Sequence, residues 1–460
     1  MSDRRPPQSA AAEAEAFLAA NPDIGNVHVV LTDICGVGRG KSLRRSEIGR
    51  LYGEGRMIAG SILSLDVTGA DVIETGLVWD DGDADRLLRP VPGTLVRAPW
   101  LAPATGQVLV TLNELDDTPS QADPRHALAR VVERFAELKL TPVVAVELEF
   151  YLLDRESALA GKPRPPALPQ TGYRPHQPQA YDLRDLDEIQ PLLADIYAAC
   201  ELQGIPAETA LCEYAPGQFE IVLRHRTDAL RAVDEAILYK RVVKGVAARH
   251  GYEATFMAKP YAEQSGSGMH VHMSLADAAG NNVFAAEDAA GTPLMRHAIG
   301  GLLATMAESV GVFAPNANSY RRYRPGVFVP LTPNWGSNHR GVALRVPLSG
   351  PEDTRIEHRP GGADGNPYLV MAAVVAGLHH GITNRCEPGP MVETGEVIEE
   401  QITLPVRWEA ALAAFEAGRV LPRYLGERYH RIFAACRREE CDRFHAQITD
   451  RDYEWYLRAV

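Results

Sequence analysis

The sequence predicts an α+β protein with a small β-rich first domain and a larger mixed second one. Three observations carry this expectation. At 460 residues the chain is longer than one simple hydrophobic core serves, so two or more domains are expected. Strand-like runs bracket its first part, with loop-rich sequence between them. Beyond that part, strand and helix patterns alternate irregularly to the last residues.

Each element has a local reason. The opening "MSDRRPPQSAAAEAEAFLAANPD" lacks the continuous apolar core of a signal peptide. It predicts a flexible segment over 1–20, a loose start running into a short helix. Residues 26–35, "NVHVVLTDIC", and 107–114, "QVLVTLNE", are strand-like, and they delimit a first domain over 21–118. Then "DDTPSQADPRHALARVVERFAELKL" predicts a linker and a helix start, with Pro124 in the first turn and apolar residues at helical spacing. The second domain, 119–460, follows. Within it, "VAVELEFYLL" (144–153) is a strand, and 155–186, rich in Pro, Gly and Gln, is a surface insertion. In "NPYLVMAAVVAG", Asn366 is placed to cap and Pro367 to open a buried helix, whose apolar run from Tyr368 to Leu378 is too short to span a bilayer. There is no internal repeat.

Composition narrows the function. With 45% hydrophobic and 23% charged residues the chain is an ordinary soluble protein. A net charge of −13 argues against a nucleic-acid partner, whose phosphates need a concentrated positive surface. Six widely spaced cysteines without a CxxC pair predict free thiols in a reducing compartment, hence the cytoplasm.

Chemistry is concentrated in pairs at spacing two. On a strand, residues i and i+2 share a face, roughly 6.5–7 Å apart. Glu147 and Glu149 therefore point one way, as do His270 and His272 in "GSGMHVHMSL", and Arg355, Glu357 and Arg359 in "TRIEHRPGG". "CEYAPGQFEIVL" adds Glu213 and Glu220. One such pair is usually a solvated sheet face. Five glutamates and a histidine converging from four strands would repel one another unless cations lay between them. Oxygen-rich ligands with one imidazole suit Mg²⁺ or Mn²⁺ rather than structural zinc. Arginines complete the pattern: Arg321, Arg322 and Arg324 in "NSYRRYRPG", Arg340 and Arg345 in "NHRGVALRVP". Metal ions facing guanidinium groups is the arrangement phosphoryl transfer needs.

Taken in order, "VELEFYLL", "CEYAPGQFEI", "GSGMHVHMSL", "NSYRR", "NHRGVALRVP" and "RIEHRPGGADGNPYL" resemble the successive signatures of the type I glutamine synthetase family, over nearly the whole chain. The resemblance implies a small N-terminal β-grasp domain and a large catalytic domain with a curved antiparallel sheet. It also implies active sites between subunits of a ring, usually a dodecamer of two stacked hexamers. Carried over, Glu149, Glu213 and Glu220 hold the metal ion on the amino-acid side, and Glu147, His270 and Glu357 the ion that bridges the ATP phosphates. His272, Ser274 and Arg355 match nucleotide contacts, Arg322, Arg359 and Gly266 glutamate contacts, and Arg340 and Arg345 positions that steady the transferred phosphoryl group. The implied reaction activates glutamate's γ-carboxylate as γ-glutamyl phosphate, which an uncharged amine then attacks.

Two departures concern the amine. Ammonia-using members carry a glutamate where "PGVFVP" has Phe328, and an aspartate, from a neighbouring subunit, where "IAGSIL" has Ala59. Ammonium needs negative charge to collect it and accept its proton. An apolar wall instead favours an alkyl amine, by roughly 0.8 kcal/mol per buried methylene. The wording of "VVAVELEFYLLDR", "APGQFEI", "ATFMAKPY" and "ADGNPYLVMAA" is similar to the γ-glutamylputrescine (γ-glutamylpolyamine) synthetases, so putrescine or a longer polyamine is the expected acceptor. Ethanolamine or a small monoamine, ammonia itself, and a non-catalytic ring scaffold are the alternatives. Ser265 stands where ammonia-using members commonly have Asn, and "MVETGEVIEEQITL" (391–404) contains no tyrosine to be adenylylated.

Overall fold

Alternating apolar residues and well-placed caps set the elements that carry the site. The computed structural model describes residues 7–288, 290–398 and 401–460. Residues 1–6 of the expected N-terminal segment, and 399 and 400 within 391–404, lie outside the described residues. The short helix expected there is α1 (Pro7–Ala20). Its Glu13 carboxylate accepts from the Gly93 backbone N–H at 3.0 and 3.1 Å, tying α1 to the first sheet's loops.

That sheet contains β1 (Asn26–Thr32), β2 (Gly38–Arg44), β3 (Arg56–Ala59), β4 (Asp85–Pro90), β5 (Val96–Ala98) and β6 (Thr105–Asn113). Its order is β2-β1-β6-β4-β3, with β5 on β6, and β1 runs parallel to β6. The second sheet is built from β7 (Thr141–Asp154), β8 (Ala207–Cys212), β9 (Gln218–Leu223), β10 (Tyr252–Thr255), β11 (Met269–Ala276), β12 (Trp335–Ser337), β13 (Leu344–Val346) and β14 (Ile356–His358). Its order is β12-β13-β14-β11-β7-β9-β8, with β10 pairing the far end of β7. Every ladder in it is antiparallel except β12–β13.

One face of this sheet is core. Val146, Leu148, Phe150, Met269, Val271 and Met273 are all buried. Behind it lie α2 (Pro124–Glu133), α3 (Ala229–Arg249), α4 (Pro293–Phe313) and α5 (Pro367–Asn384), with α6 (Glu427–His445) nearer the C-terminus. Pro124 in the first turn of α2 and the Asn366 cap of α5 stand as the sequence predicts, and Asp123 adds a cap not singled out in the sequence. Asp123 accepts from Arg125 and His126 N–H groups at the start of α2, and Asn366 from Tyr368 N–H at the start of α5. A buried triad joins three helices: Arg125 grips Asp234 through two 2.8 Å bonds, and Tyr368 donates to the same carboxylate at 2.6 Å. Among the described residues no helix is long and apolar enough to cross a membrane, and the six cysteines are free.

The crossing of α4 and α5 depends on glycine. A Cβ on Gly301 would lie 2.2 Å from Gly377 O and 2.3 Å from Gly381 Cα, backbone atoms that cannot swing aside. Gly301→Ala is therefore expected to cost about 1–3 kcal/mol or more. Thermal unfolding checks it; an unchanged midpoint would mean that the helices separate freely.

Candidate active site

Register, more than any single strand, assembles the site. The β7–β11 ladder sets His270 opposite Glu147, the β7–β9 ladder sets Glu220 opposite Glu149, and Glu357 faces both His272 and Arg345. All share the face opposite the core. Glu213 joins from just beyond β8. Ligand atoms of Glu149, Glu213 and Glu220 lie within 4.8 Å of one another, as do those of Glu147, Glu220 and His270, and those of Glu147, His272 and Glu357. His270 Nδ1 is 3.5 Å from Glu147 and 3.8 Å from Glu357. The six residues expected to hold metal are thus one contiguous cluster.

The cluster is electrostatically divided. Burial, then the charges of Glu149 and Glu147, push Glu213 up to about 7. Burial, then Glu147 and Glu149, push Glu220 up to about 10. On the other side burial also works upward on Glu357, but Arg359, His270, His272 and Arg345 outweigh it and hold that carboxyl at about 2. Glu147 is buried as well, yet His272 and His270 hold it well below the usual carboxylate range. Crowded carboxyls that retain protons are what a multivalent cation relieves, so this oxygen-rich donor set fits a divalent metal. Binding there is expected to release about one proton or more at neutral pH and to weaken as pH falls through 7, where Glu213 reprotonates. Calorimetry in buffers of different ionisation enthalpy reads the proton count; cation binding with none released would contradict this division.

Arginines surround the carboxylates. Arg345 donates to Glu357 at 2.9 Å and Arg359 at 2.5 Å. Arg322, buried, donates to Pro360 O at 3.2 Å. The Nε atoms of Arg322, Arg345 and Arg359 are buried without a hydrogen-bond partner among the described residues. Each orphaned donor costs about 1–3 kcal/mol, and together they favour an anionic ligand. Arg340 is exposed, its charge acting on Glu213.

Beside the cluster lies a cavity of about 380 Å³, lined by Glu147, His272, Ser274 and Arg355. The three residues matched to nucleotide contacts are therefore together, and Arg355 Nε donates to His272 Nδ1 at 3.2 Å. Arg224, His225 and Asn282 line the same cavity and were not singled out in the sequence. Gln218 was also missed, although it lies inside "APGQFEI". Its Nε2 donates to Glu149 Oε2 at 2.9 Å and to Gly266 O at 3.1 Å, linking a cluster carboxylate to the loop expected to contact glutamate. Ala59 and Phe328 do not line that cavity. Ala59 ends β3 in the first sheet, and Phe328 lies in a loop, 73% exposed.

Known proteins resemble this chain over nearly its full length. The family model described as glutamine synthetase, catalytic domain, matches residues 121–456. The chain is similar to γ-glutamylputrescine synthetase of Escherichia coli, 40% identical over 446 residues that cover 97% of this chain and 94% of that protein. It is similar to γ-glutamylethanolamide synthetase of Streptomyces coelicolor, 33% identical over 461 residues, 100% of this chain and 96% of the other. The solved structure of apo GmaS without ligand superposes with a TM-score of 0.82 at 30% identity, covering 96% and 99% of the two chains.

Proposed function

The chain belongs to the glutamine synthetase family, and from that premise we propose that it joins the γ-carboxylate of glutamate to a primary amine in an ATP-dependent ligation, with putrescine or a longer polyamine as acceptor. The observation that carries this reading is the meeting, on one sheet face, of the carboxylate cluster, the His272–Ser274–Arg355 cavity and three buried guanidinium groups with unused donors. Similarity to enzymes named γ-glutamylputrescine synthetase and γ-glutamylethanolamide synthetase supports the acceptor class.

In this reading Glu149, Glu213 and Glu220 hold one divalent ion and Glu147, His270 and Glu357 a second, Mg²⁺ or Mn²⁺. When bound, such ions neutralise charge between carboxylates and nucleotide phosphates and polarise the phosphoryl group. His272, Ser274 and Arg355 hold the nucleotide. Arg322 and Arg359 grip glutamate's carboxylates while the Gly266 backbone positions it. Its γ-carboxylate oxygen attacks the terminal phosphorus of ATP, and ADP leaves. Arg340 and Arg345 steady the negative charge on the transferred group. A neutral amine then attacks the γ-carbonyl carbon and inorganic phosphate departs.

Phe328 and Ala59 set the amine side. Because Ala59 belongs to the first sheet and Phe328 to a loop of the second domain, the reading includes a ring in which Ala59 of the partner subunit approaches the loop of Phe328, as a dodecamer of two stacked hexamers. Ethanolamine is the alternative acceptor, favoured by the full-length similarity to the Streptomyces enzyme.

Phosphate release from ATP, Mg²⁺ and glutamate decides between them, assayed with ammonium, ethanolamine, monoamines, putrescine and spermidine. Putrescine or spermidine should be the best acceptor; ammonium above every amine would overturn the polyamine reading. Phe328→Glu is expected to weaken amine use about tenfold, the value of one to two buried methylenes. An unchanged preference would place selectivity elsewhere.

A further inference from the structure

Cys35 and Cys436 lie far apart in sequence and meet in the fold. Cys35 sits in the turn between β1 and β2, and Cys436 on α6. Their sulfurs and a Glu440 oxygen lie within 4.8 Å of one another. The Arg437 guanidinium donates to Cys35 Sγ at 2.7 Å, to Cys436 Sγ at 3.2 Å and to Glu440 Oε1 at 2.9 Å. Both thiols also face Leu65 O, at 3.4 and 3.8 Å. Arg437 already donates to all three of these side chains, so this is a paired-thiol site rather than a soft-metal site.

Three features make the pair chemically distinct. Arg437 is only 2% exposed, so its charge acts on the sulfurs through little solvent. The neighbouring sulfur, ahead of burial and Arg437, draws Cys436 below its ordinary range and pushes Cys35 well up, so Cys436 is the first of the two to lose its proton. Access is also asymmetric. Cys35 lines a cavity of about 1160 Å³ that Lys240, Lys244 and Arg443 also border, while Cys436 is 0% exposed behind it. The other thiols have no such setting: burial pushes Cys200 and Cys212 to about 12 and Cys441 to about 11, and Cys386 is also raised.

We propose that Cys35 and Cys436 form an oxidation site for hydrogen peroxide that closes to a disulfide, fastening the β1–β2 turn to α6. Cys436, the first of the two to lose its proton, takes up the Cys35 proton as the Cys35 sulfur attacks peroxide: an S–O bond forms, the O–O bond breaks and hydroxide leaves. Cys436 sulfur then attacks Cys35 sulfur, and its proton departs with the sulfenic hydroxyl as water. Two electrons pass from the sulfurs to the peroxide. Closure removes both thiol donors from Leu65 O. The neighbouring loop is held by the same helix, through Val67 N–H on the Glu440 carboxylate at 2.6 Å and Arg443 on the Asp66 carboxylate at 2.5 Å. The disulfide therefore acts on the loop that follows Ala59 in the first domain.

The test uses the full chain, reduced and then exposed to a modest excess of hydrogen peroxide. The intact mass should fall by about 2 Da, the mass of two hydrogens. Two of the six thiols should be lost, peptide mapping should join Cys35 to Cys436, and dithiothreitol should reverse the change. Cys35→Ser should abolish the loss, and Cys386→Ser should leave it intact. Oxygen addition without a cross-link, a cross-link between other cysteines, or six surviving thiols would each overturn the proposal. Arg437→Met should slow closure at least about tenfold, the effect of losing a thiolate-stabilising charge. Because that arginine is buried and the variant can fail to fold, the wild-type measurement stands without it.

Discussion

Glu220→Gln is expected to lower cation-dependent phosphate release by roughly a hundred- to thousand-fold while leaving the cation-free protein at least as stable as the wild type. The two effects share a cause. Glu220 is buried, faces Glu149 across the ladder and lies with Glu147 and Glu213 in one cluster, so its carboxyl is pushed up to about 10. An unfolded glutamate titrates near about 4.3. Between those values the native chain binds a proton that the unfolded chain lacks, so cation-free stability falls as pH rises through this window. Glutamine keeps the shape, carries no charge and should remove that slope. It also removes a carboxylate shared by two of the groupings that could hold a cation. Unfolding midpoints with and without Mg²⁺, at several pH values, separate the effects. The wild type should gain stability with the cation and the variant should not. A variant that keeps the cation-induced gain would show that Glu220 is not a ligand.

What could be read from the sequence follows from how local each signal is. The period-two pairs in β7 and β11 were legible because a strand fixes the relative direction of i and i+2 without any partner. The starts of α2 and α5 were legible because Pro124 and the Asn366–Pro367 pair act within one turn. Register was not. That Glu149 faces Glu220, and Glu147 faces His270, depends on strands about seventy and more than one hundred residues apart, as the paired numbers show. The parallel β12–β13 pair within an otherwise antiparallel sheet likewise has no local mark. Gln218 was overlooked because a lone amide has no period; only its two acceptors give it meaning. The grip of Arg345 and Arg359 on Glu357 was hidden for the same reason, although each arginine had been singled out. The Cys35–Cys436 meeting is the extreme case, since spacing alone made both look like isolated thiols.

Gly266→Ala is expected to lower kcat/KM for glutamate about a hundred-fold, the scale of one displaced charge-assisted hydrogen bond, with nucleotide binding unchanged. A Cβ at this position would fall 2.5 Å from Arg322 Cγ and 2.6 Å from Ala258 O. The carbonyl cannot yield easily, because it also accepts from Ser267 N–H at 2.9 Å. Arg322 must therefore move, and its guanidinium is confined as well: positions 268 and 362 are glycines whose added Cβ atoms would lie 3.4 and 3.3 Å from its terminal nitrogens. Shifting the Gly266 backbone instead would disturb Gln218, which holds Gly266 O and Glu149 together. Either relaxation alters the proposed glutamate side and leaves His272, Ser274 and Arg355 in place along β11 and just before β14. Initial rates varied in glutamate at saturating ATP, with nucleotide binding measured separately, distinguish the halves. Equal losses for both ligands would mean that the substitution disorders the whole site, and a variant as active as the wild type would remove Arg322 from the glutamate pocket.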